Sequence, residues 1–418
     1  MLIVPFTEGA ASPVQVAAAC GGQVDFVFLV DEQDGRIAPA VPMLHELAPV
    51  VTHDGDLPQV LEQLAPFEPH GVVTFSDSTM QLAAAIAKAC GIPYNSQETC
   101  VLLRSKLKQR QCLNDAGVGS VRTFGFSLDQ AESVSLPADV PFPAVVKPEV
   151  GAASKNAVFV ASRDELTARL AELTPGVTYV LEEYLHGAEL YEVDWLGDYL
   201  SVESVVSGGA IRHFGMSARL PLVAPFREGG LVFPVRPDDT TAVAITDLAE
   251  RAIKTIGITI GLVHTEIKMT PDGPRIIEVN GRLGGALERL VPRATGIDPV
   301  RLAVDIALGA PLPGEFGAPS QLAMVVWVQP PMSATAVAEL PSIRELRELP
   351  GVFGVDRLRK NEHALDWRNG SLGRVFDIWL DAGSLTELGE RYSAVVDVLD
   401  NGIKWKLESA GGRRNKED

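Results

Sequence analysis

Around residues 271–273, two short runs in which apolar and polar side chains alternate flank a Pro-Asp-Gly sequence. This pattern predicts a β-hairpin. With those three residues as its loop, Thr270 lies opposite Pro274, and counting outward places Glu266 opposite Glu278. Directly opposed side chains on one face are roughly 4.5–5.5 Å apart, so two carboxylates there repel. The register therefore predicts a compensating cation at this point of the fold.

Three hard oxygen donors share that face in the predicted hairpin. Side chains alternate between faces with period two, so Asn280 lies on the same face as Glu278, opposite His264. Carboxylate and amide oxygens, completed by the phosphate oxygens of a substrate, are how proteins hold Mg²⁺, and Mn²⁺ accepts the same donors. We therefore predict a metal site at Glu266, Glu278 and Asn280. An ordinary surface hairpin with solvated acids is disfavoured, because 276–279 is largely apolar.

After the hairpin come Arg282, a cation on the same face, and Gly284-Gly285, where backbone amides can approach a ligand closely. An acidic residue about a dozen positions before Glu-x-Asn, with an arginine two residues after the asparagine, resembles the signature of the ATP-grasp superfamily. The resemblance implies ATP and Mg²⁺ as cofactors. It also implies that Arg282 and the amides of Gly284 and Gly285 stabilise an acyl-phosphate and the oxyanion formed when an amine attacks it.

Size and charge fit an enzyme acting on small molecules. A chain of 418 residues with 46% hydrophobic content exceeds one hydrophobic core. Its net charge of −18 argues against nucleic acid and anionic membrane as partners. No apolar run suits a bilayer span, and the four cysteines lack C-x-x-C spacing, as expected in a reducing cytoplasm. We expect a cytoplasmic protein, and the sequence leaves a homodimer open.

Three units are predicted along the chain, of class α/β and α+β. Residues 1–95 alternate strands and helices, as in a doubly wound parallel sheet. Residues 96–310 contain the hairpin and an expected strand near 189–196. Residues 311–418, after a Pro- and Gly-rich boundary, form a smaller α+β unit with a frayed, charged tail at 411–418. The resemblance implies an ATP-grasp fold with an N-terminal doubly wound domain and a C-terminal α+β subdomain.

A strand ending in Lys147 precedes a loop that begins with the four small residues 151–154, here called the small-residue loop (residues 151–156). A lysine ammonium suits phosphate oxygens, and small residues let backbone N–H groups close over a triphosphate. Such a strand is by itself often a capped edge. With the hairpin downstream, it resembles the strand lysine and phosphate loop of ATP-grasp enzymes, although this loop lacks their second glycine. The resemblance assigns Lys147 and Ser154 to the nucleotide.

An amphipathic helix is predicted over 99–116. By its position ahead of the strand lysine, Lys106 matches the first ATP lysine of the family, and we assign it to the phosphates. Arg110 shares its helical face. For Arg110, a phosphate contact and a solvated surface position stay open.

The stretch that begins at residue 178 resembles the adenine hinge of the family, an extended backbone whose N–H and C=O groups mimic a pairing edge. The resemblance implies backbone contacts from Glu183 and Leu185, a Glu182 side chain near the adenine amino group, and ribose hydroxyls bound by Glu189. Without the resemblance, the same residues are equally two strands joined at a glycine turn.

Other candidates are less specific. His213 and Arg219 precede a segment that covers the substrate in the family, which makes them substrate contacts by resemblance. Ala286, at the start of an expected helix, leaves room for a bulky amino acid or a peptide, unless another loop fills that space. Residues 76–78 (Ser-Asp-Ser) follow a strand of the parallel sheet, where ligands bind, but fit equally the cap of the next helix.

The residues around the hairpin also indicate a subgroup. Gly-Arg-Leu-Gly-Gly after Glu-x-Asn, with His-Thr-Glu on the preceding strand, is most like the L-amino-acid ligases. The resemblance implies an ATP-dependent carboxylate–amine ligase that activates an amino-acid or peptide carboxylate as an acyl-phosphate. Joining it to an amine would release ADP and phosphate, in dipeptide or natural-product biosynthesis. A purine-biosynthesis type of ATP-grasp ligase and a non-catalytic nucleotide-binding regulator stay open as alternatives.

Overall fold

A computed structural model describes residues 1–128 and 137–408. The tail predicted to fray at 411–418 lies outside these ranges. Within them, no helix combines the length and the apolar character needed to cross a membrane.

The first unit is a parallel sheet with both faces covered. Its strand order is β3-β2-β1-β4, with β1 parallel to both of its neighbours. The elements are β1 (Leu2–Phe6), α1 (Pro13–Cys20), β2 (Phe26–Asp31), α2 (Val41–Leu47), β3 (Val50–His53), α3 (Leu57–Leu64), β4 (Gly71–Val72) and α4 (Met80–Cys90). Because helices pack on either face, β1 and β2 are apolar nearly throughout. The predicted N-terminal parallel sheet is confirmed.

The second unit is a four-stranded antiparallel sheet, in the order β5-β8-β6-β7, preceded by two helices. Its elements are α5 (Gln97–Arg104), α6 (Lys106–Asp115), β5 (Thr123–Ser127), β6 (Ala144–Pro148), β7 (Val158–Val160), α7 (Arg163–Arg169) and β8 (Thr178–Glu183). The single helix predicted over 99–116 is wrong, because Ser105 interrupts it. The Ser105 hydroxyl accepts the N–H of Lys108 and caps a new helix that begins at Lys106.

The largest sheet has eight strands in the order β13-β12-β9-β10-β11-β14-β17-β16. The remaining elements are β9 (Tyr199–Ser207), β10 (Ala210–Arg219), β11 (Gly230–Phe233), α8 (Asp239–Ile256), β12 (Ile260–Thr270), β13 (Gly273–Asn280), α9 (Leu287–Thr295), α10 (Pro299–Ala307), β14 (Leu322–Val328), β15 (Ala334–Glu339), α11 (Ile343–Arg347), β16 (Val352–Arg357), β17 (Phe376–Ala382), α12 (Leu385–Gly402) and β18 (Lys404–Leu407). The strand expected near 189–196 is absent, since 184–198 forms neither helix nor strand.

Strands from two predicted units share this sheet. β14, β16 and β17 belong to the unit predicted after residue 310, yet β14 pairs with β11 and continues the sheet. The boundary at 310 and the division of the chain into three domains stay predictions.

The hairpin of β12 and β13 has the predicted register at the candidate metal-binding residues. Glu266 lies opposite Glu278, and His264 lies opposite Asn280. The predicted turn is wrong, because Thr270 pairs with Gly273 and the loop is one residue shorter than expected. A β-bulge after Glu266 inserts one unpaired residue on the β13 side and restores the register.

Candidate functional site

A cavity lies between the four-stranded sheet and the acidic hairpin (residues 260–280). Side chains from α6, β6, the small-residue loop, β8 and β12 line it. Many of the residues predicted to bind nucleotide or metal are among them: Lys106, Lys147, Ser154, Glu182, Glu183, Leu185, Glu266 and Glu278. Residues far apart in sequence are thus brought to one place.

The two opposed carboxylates of the hairpin are compensated by protein cations. Lys106 Nζ lies 3.1 Å from Glu278 Oε1 and donates to the carbonyl of Gly151 at 2.5 Å. Arg219 Nη2 lies 4.0 Å from Glu266 Oε1. Burial raises the pKa of Glu266, but a hydrogen bond from His264 and the charge of Arg219 outweigh it and bring that pKa to about 2. Burial likewise disfavours the charged Lys106, but Glu278 outweighs it and raises the lysine pKa.

The hairpin offers hard oxygens but not a complete metal cage. Within 1–128 and 137–408, no group of three or more His, Cys, Asp or Glu side chains is placed to hold a metal ion. Asn280 Oδ1 adds an amide oxygen, 3.4 Å from Arg282 Nη2. This donor set fits Mg²⁺ or Mn²⁺ when phosphate or water oxygens supply the remaining positions.

A buried ion cluster lies at one side of the cavity. Glu182 is 5% exposed and accepts from Arg110 Nε at 3.1 Å and from Lys147 Nζ at 2.7 Å. Burial raises the pKa of Glu182, but the two cations outweigh it and lower that pKa to about 2. Arg110 also donates to the carbonyls of Ile276 and Ile277, both at 2.7 Å. The solvated position left open for Arg110 is wrong, because the guanidinium bonds the backbone at the hairpin bulge.

Helix α6 also bonds the free edge of β13 through Gln109. Its amide accepts the N–H of Val279 at 2.8 Å and donates to the carbonyl of Val279 at 2.9 Å. Unpaired backbone groups on a buried edge strand need such partners. Gln109 and Arg110 together fix the strand that carries Glu278, and no sequence signal singled out Gln109.

His264 is a site residue that the sequence analysis did not select. Its Nδ1 lies 2.9 Å from Glu203 Oε2, and its Nε2 lies 2.8 Å from Arg219 Nη2 and 3.4 Å from Glu266 Oε1. Burial lowers the pKa of His264, and the neighbouring carboxylates outweigh burial and raise it to about 9.

The two predicted substrate residues of β10 have different places. Arg219 lies beside the hairpin and donates from Nη1 to Glu228 Oε1 at 2.6 Å. His213 faces helix α8 instead, with Nε2 3.6 Å from Glu250 Oε1 and Nδ1 2.9 Å from the hydroxyl of Ser204. The pKa of His213 is lowered, chiefly by burial. The structure does not bring His213 to the cavity.

Arg282 and the glycines after it lie where the first unit meets the hairpin. Arg282 Nε donates to Asp77 Oδ2 at 2.8 Å. Ser76 occupies the N-cap position of the short 3₁₀ turn that leads into α4, but its side chain makes no capping hydrogen bond. A Cβ at Gly284 would lie 2.7 Å from Cε1 of His264, so only glycine fits there. Gly285 is exposed, with open space at its Cβ position.

Two further candidates lie outside the lining of the cavity. Ala286 precedes α9, as expected, but has a φ of 70° and packs beside the hydrophobic core that the first unit shares with the eight-stranded sheet. A bulky residue there would be strained by the backbone as well as by any ligand. Glu189 is exposed in the irregular segment 184–198. Their substrate and ribose roles stay predictions.

Comparison with known proteins agrees with this geometry. The ATP-grasp domain family matches residues 105–286. The chain is 32% identical over 206 residues to carnosine synthase 1 of Gallus gallus, covering 45% of this chain and 21% of that protein. It is 24% identical over 255 residues to dapdiamide A synthase of Enterobacter agglomerans, covering 57% and 56%. The chain thus spans about half or less of the length of the curated relatives it matches.

A solved structure matches over nearly the whole chain. The L-amino acid ligase from Bacillus licheniformis has a TM-score of 0.76 at 22% identity, covering 97% of this chain and 98% of that one. At this identity the likeness shows the fold. Together with the domain match, it shows that residues 105–286 form an ATP-grasp domain, in a chain whose fold is like that of an L-amino acid ligase.

Proposed function

We propose that this protein is an ATP-dependent ligase that forms a peptide or amide bond. An amino-acid or peptide carboxylate attacks the γ-phosphorus of ATP and gives an acyl-phosphate and ADP. An amine then attacks the acyl carbon, phosphate leaves, and the ammonium proton passes to solvent. The observation that carries the proposal is the opposed pair Glu266 and Glu278 in one cavity with Lys106 and Lys147.

The lysines give the nucleotide end of the cavity its positive charge. Lys147 projects from the end of β6, and the buried Glu182 fixes its ammonium. Lys106 lies between the hairpin and the carbonyl of Gly151, so its ammonium is placed to follow phosphate oxygens between the two. Fixed ammonium groups around a transferring phosphoryl group offset the charge on its oxygens. Leu185, next to β8, lines the same cavity and supports the adenine hinge.

Glu266, Glu278 and Asn280 would hold Mg²⁺ or Mn²⁺. When bound, the metal neutralises charge on the phosphoryl oxygens and orients them. The work of the chain is to keep these donors on one face, which α6 supports from the edge of β13.

Arg282 and the amides of Gly284 and Gly285 are the proposed acyl end. His264 contacts both the Gly284 position and Glu266, so this end adjoins the hairpin carboxylates. Fixed donors aimed at developing negative charge contribute strongly where water is excluded. The guanidinium of Arg282 is held by Asp77, which joins the first unit to the reacting groups.

A phosphate-release screen tests the proposal. The purified chain is incubated with ATP and Mg²⁺ and with amino acids singly and in pairs. We expect ADP and phosphate only when both a carboxylate and an amine are supplied, with a dipeptide found by mass spectrometry. AMP and pyrophosphate as stoichiometric products would contradict acyl-phosphate chemistry. ATP binding without amine-dependent turnover would favour a regulator, and a requirement for formate would favour the purine type. The homodimer and the cytoplasmic location stay predictions.

A further inference from the structure

The small-residue loop has a backbone that its own sequence does not favour. Ala153, Ser154 and Asn156 have φ values of 56°, 54° and 57°. In this left-handed region the Cβ of an L-residue crowds its own backbone; glycine enters it freely and asparagine does so occasionally, whereas alanine and serine rarely do. Such residues persist where surrounding structure holds them. Three of them within four positions point to an external support.

That support comes from the segment 366–371, here called the bridging segment. The N–H of Ser371 donates to the carbonyl of Ala153 at 2.8 Å, and the N–H of Asn156 donates to the carbonyl of Arg368 at 3.2 Å. The half-buried ring of Trp367 packs against the core of the four-stranded sheet. Two backbone hydrogen bonds and one aromatic contact thus join the bridging segment to the unit that carries the loop.

Gly370 makes the close approach possible. Its φ of 62° and ψ of −145° belong to a region open essentially to glycine alone. A Cβ there would lie 2.7 Å from the amide nitrogen of Lys155 and 2.8 Å from the carbonyl carbon of Ser154. No real Cβ contact is that short, so a side chain at this position forces the loop and the bridging segment apart.

The bridging segment also reaches the other side of the cavity. The Ser371 hydroxyl, on a residue only 2% exposed, accepts the N–H of Glu228 at 2.9 Å. The Glu228 carboxylate accepts from Arg219 at 2.6 Å, beside Glu266. The side-chain amide of Gln329 donates to the carbonyls of both Glu228 and Ser371. One short segment therefore contacts the loop and the residues next to the hairpin.

We propose that the bridging segment, which lies outside the ATP-grasp domain at 105–286, is a positioning element for nucleotide binding. Gly370 and Ser371 are its positioning residues: they hold the small-residue loop in a closed conformation before a nucleotide arrives. The proposal rests on the proposed function in one respect, that this loop binds the triphosphate of ATP. Holding a loop in its bound form strengthens binding by removing the cost of ordering it.

Gly370→Ala is the decisive variant, and Gly373→Ala is its matched control. At Gly373 a Cβ would be 3.6 Å from the nearest heavy atom, the carbonyl oxygen of Asp366, which is ordinary contact. By calorimetry with Mg²⁺ present, we expect Gly370→Ala to weaken ATP binding about tenfold and to leave adenosine binding within about twofold. Gly373→Ala should match the unsubstituted protein for both ligands. Equal ATP affinity in the two variants would overturn the proposal.

Hydrogen exchange separates this proposal from the function it rests on. Without nucleotide, the amides of residues 152–157 should exchange about tenfold faster in Gly370→Ala than in Gly373→Ala. Equal exchange in the two variants would overturn the positioning role, whatever ATP does. If the unsubstituted protein binds no ATP, the proposed function fails. The exchange rates then still show whether the bridging segment holds the small-residue loop in place.

A second variant keeps the test open should Gly370→Ala not fold. Trp367→Ala loosens the same segment from the four-stranded sheet, because the indole ring packs against the core of that sheet. Faster exchange at residues 152–157 in Trp367→Ala than in Gly373→Ala would support the positioning role. Equal exchange in these two variants would overturn it.

Discussion

The register of the acidic hairpin is set by the pairing of its own two strands, whereas the conformation of the small-residue loop is supported by a segment more than two hundred residues away in the chain. In the hairpin, β12 and β13 pair over most of their length, and a bulge corrects the register. In the loop, three non-glycine residues adopt left-handed conformations, and backbone hydrogen bonds join the first of them to Ser371 and the last to Arg368. The register of one side of the cavity thus comes from local pairing, whereas the conformation of the other side comes from distant structure, and substitutions in each should act differently.

The largest effect is expected at the hairpin. Glu278→Gln removes a charged donor and should lower amine-dependent ADP release about a thousandfold. Relief of repulsion with Glu266 would stabilise the fold, but Lys106 loses its partner, so the free energy of unfolding should fall by about 1 kcal/mol. A coupled-enzyme assay measures ADP release, and urea unfolding measures the free energy of unfolding. Glu250→Gln on α8 is the control, and normal turnover in Glu278→Gln would remove the hairpin from the chemistry.

The hairpin depends on α6 as well, through Arg110. Arg110→Met leaves the buried Glu182 with one cation and the bulge carbonyls without their donor. The free energy of unfolding should drop by about 4 kcal/mol, since an unpaired buried charge is costly. Arg122→Met is the matched control, because Arg122 is 61% exposed in its pair with Glu183, and should cost about 0.5 kcal/mol. Equal urea midpoints for the two variants would show that α6 does not support the hairpin.

Acid should weaken the cluster beside the loop in a defined pH range. The folded-state pKa of Glu182 is about 2 against an ordinary 4.5, so its stabilisation is present above pH 4.5 and is lost as the pH falls toward 2. The shift corresponds to roughly 3 kcal/mol. In urea unfolding between pH 7 and 3, Glu182→Gln should have a lower free energy of unfolding than the unsubstituted protein at pH 7. The difference in free energy of unfolding should narrow below pH 4.5. A constant gap would mean that Glu182 is not held ionised.

The smallest effects compare backbone strain in the two regions directly. Gly273, in the hairpin turn, has a φ of 102°, so Gly273→Ala should lower the free energy of unfolding by about 1 kcal/mol. Ser154→Gly relieves a left-handed residue and should raise it by up to about 1 kcal/mol. Ser154→Gly also makes the small-residue loop more flexible, so the KM for ATP should rise about threefold in that variant. Thermal unfolding and steady-state kinetics test the two variants. If both substitutions changed the free energy of unfolding in the same direction, backbone strain would not distinguish the hairpin from the loop.

The strands and helices near the site could be predicted because they follow from the periodic spacing of polar and apolar side chains along the sequence. Alternating polarity predicted the two strands of the hairpin and the opposed pair Glu266 and Glu278, which the structure confirms. The parallel sheet of the first unit followed from its alternation of apolar strands with helices. The break at Ser105 was missed although a capping serine is a readable signal, because the apolar pattern continues across it.

Contacts between distant residues could not be predicted in this way. From the sequence, His213 was predicted to be a site residue and His264 was not. A lone histidine in a strand does not indicate which residues of other elements will pack against it. Arg110 looked equally suited to solvent, because its partners lie on β8 and β13. Segment 366–371 carries no motif at all.

By itself, then, the sequence determined the strand that presents Glu278 and Asn280, the lysine near the end of β6, and the order of strands and helices in the first unit. These depend on periodicities of two and 3.6 residues that each segment carries within itself. Only the tertiary structure decided that Ser371 and Gly370 support the small-residue loop, that Arg110 bonds the hairpin bulge, and that His264 lies beside Glu266. Those contacts arise when separate segments pack together, and burial and pairing across such distances leave no local pattern in a single chain.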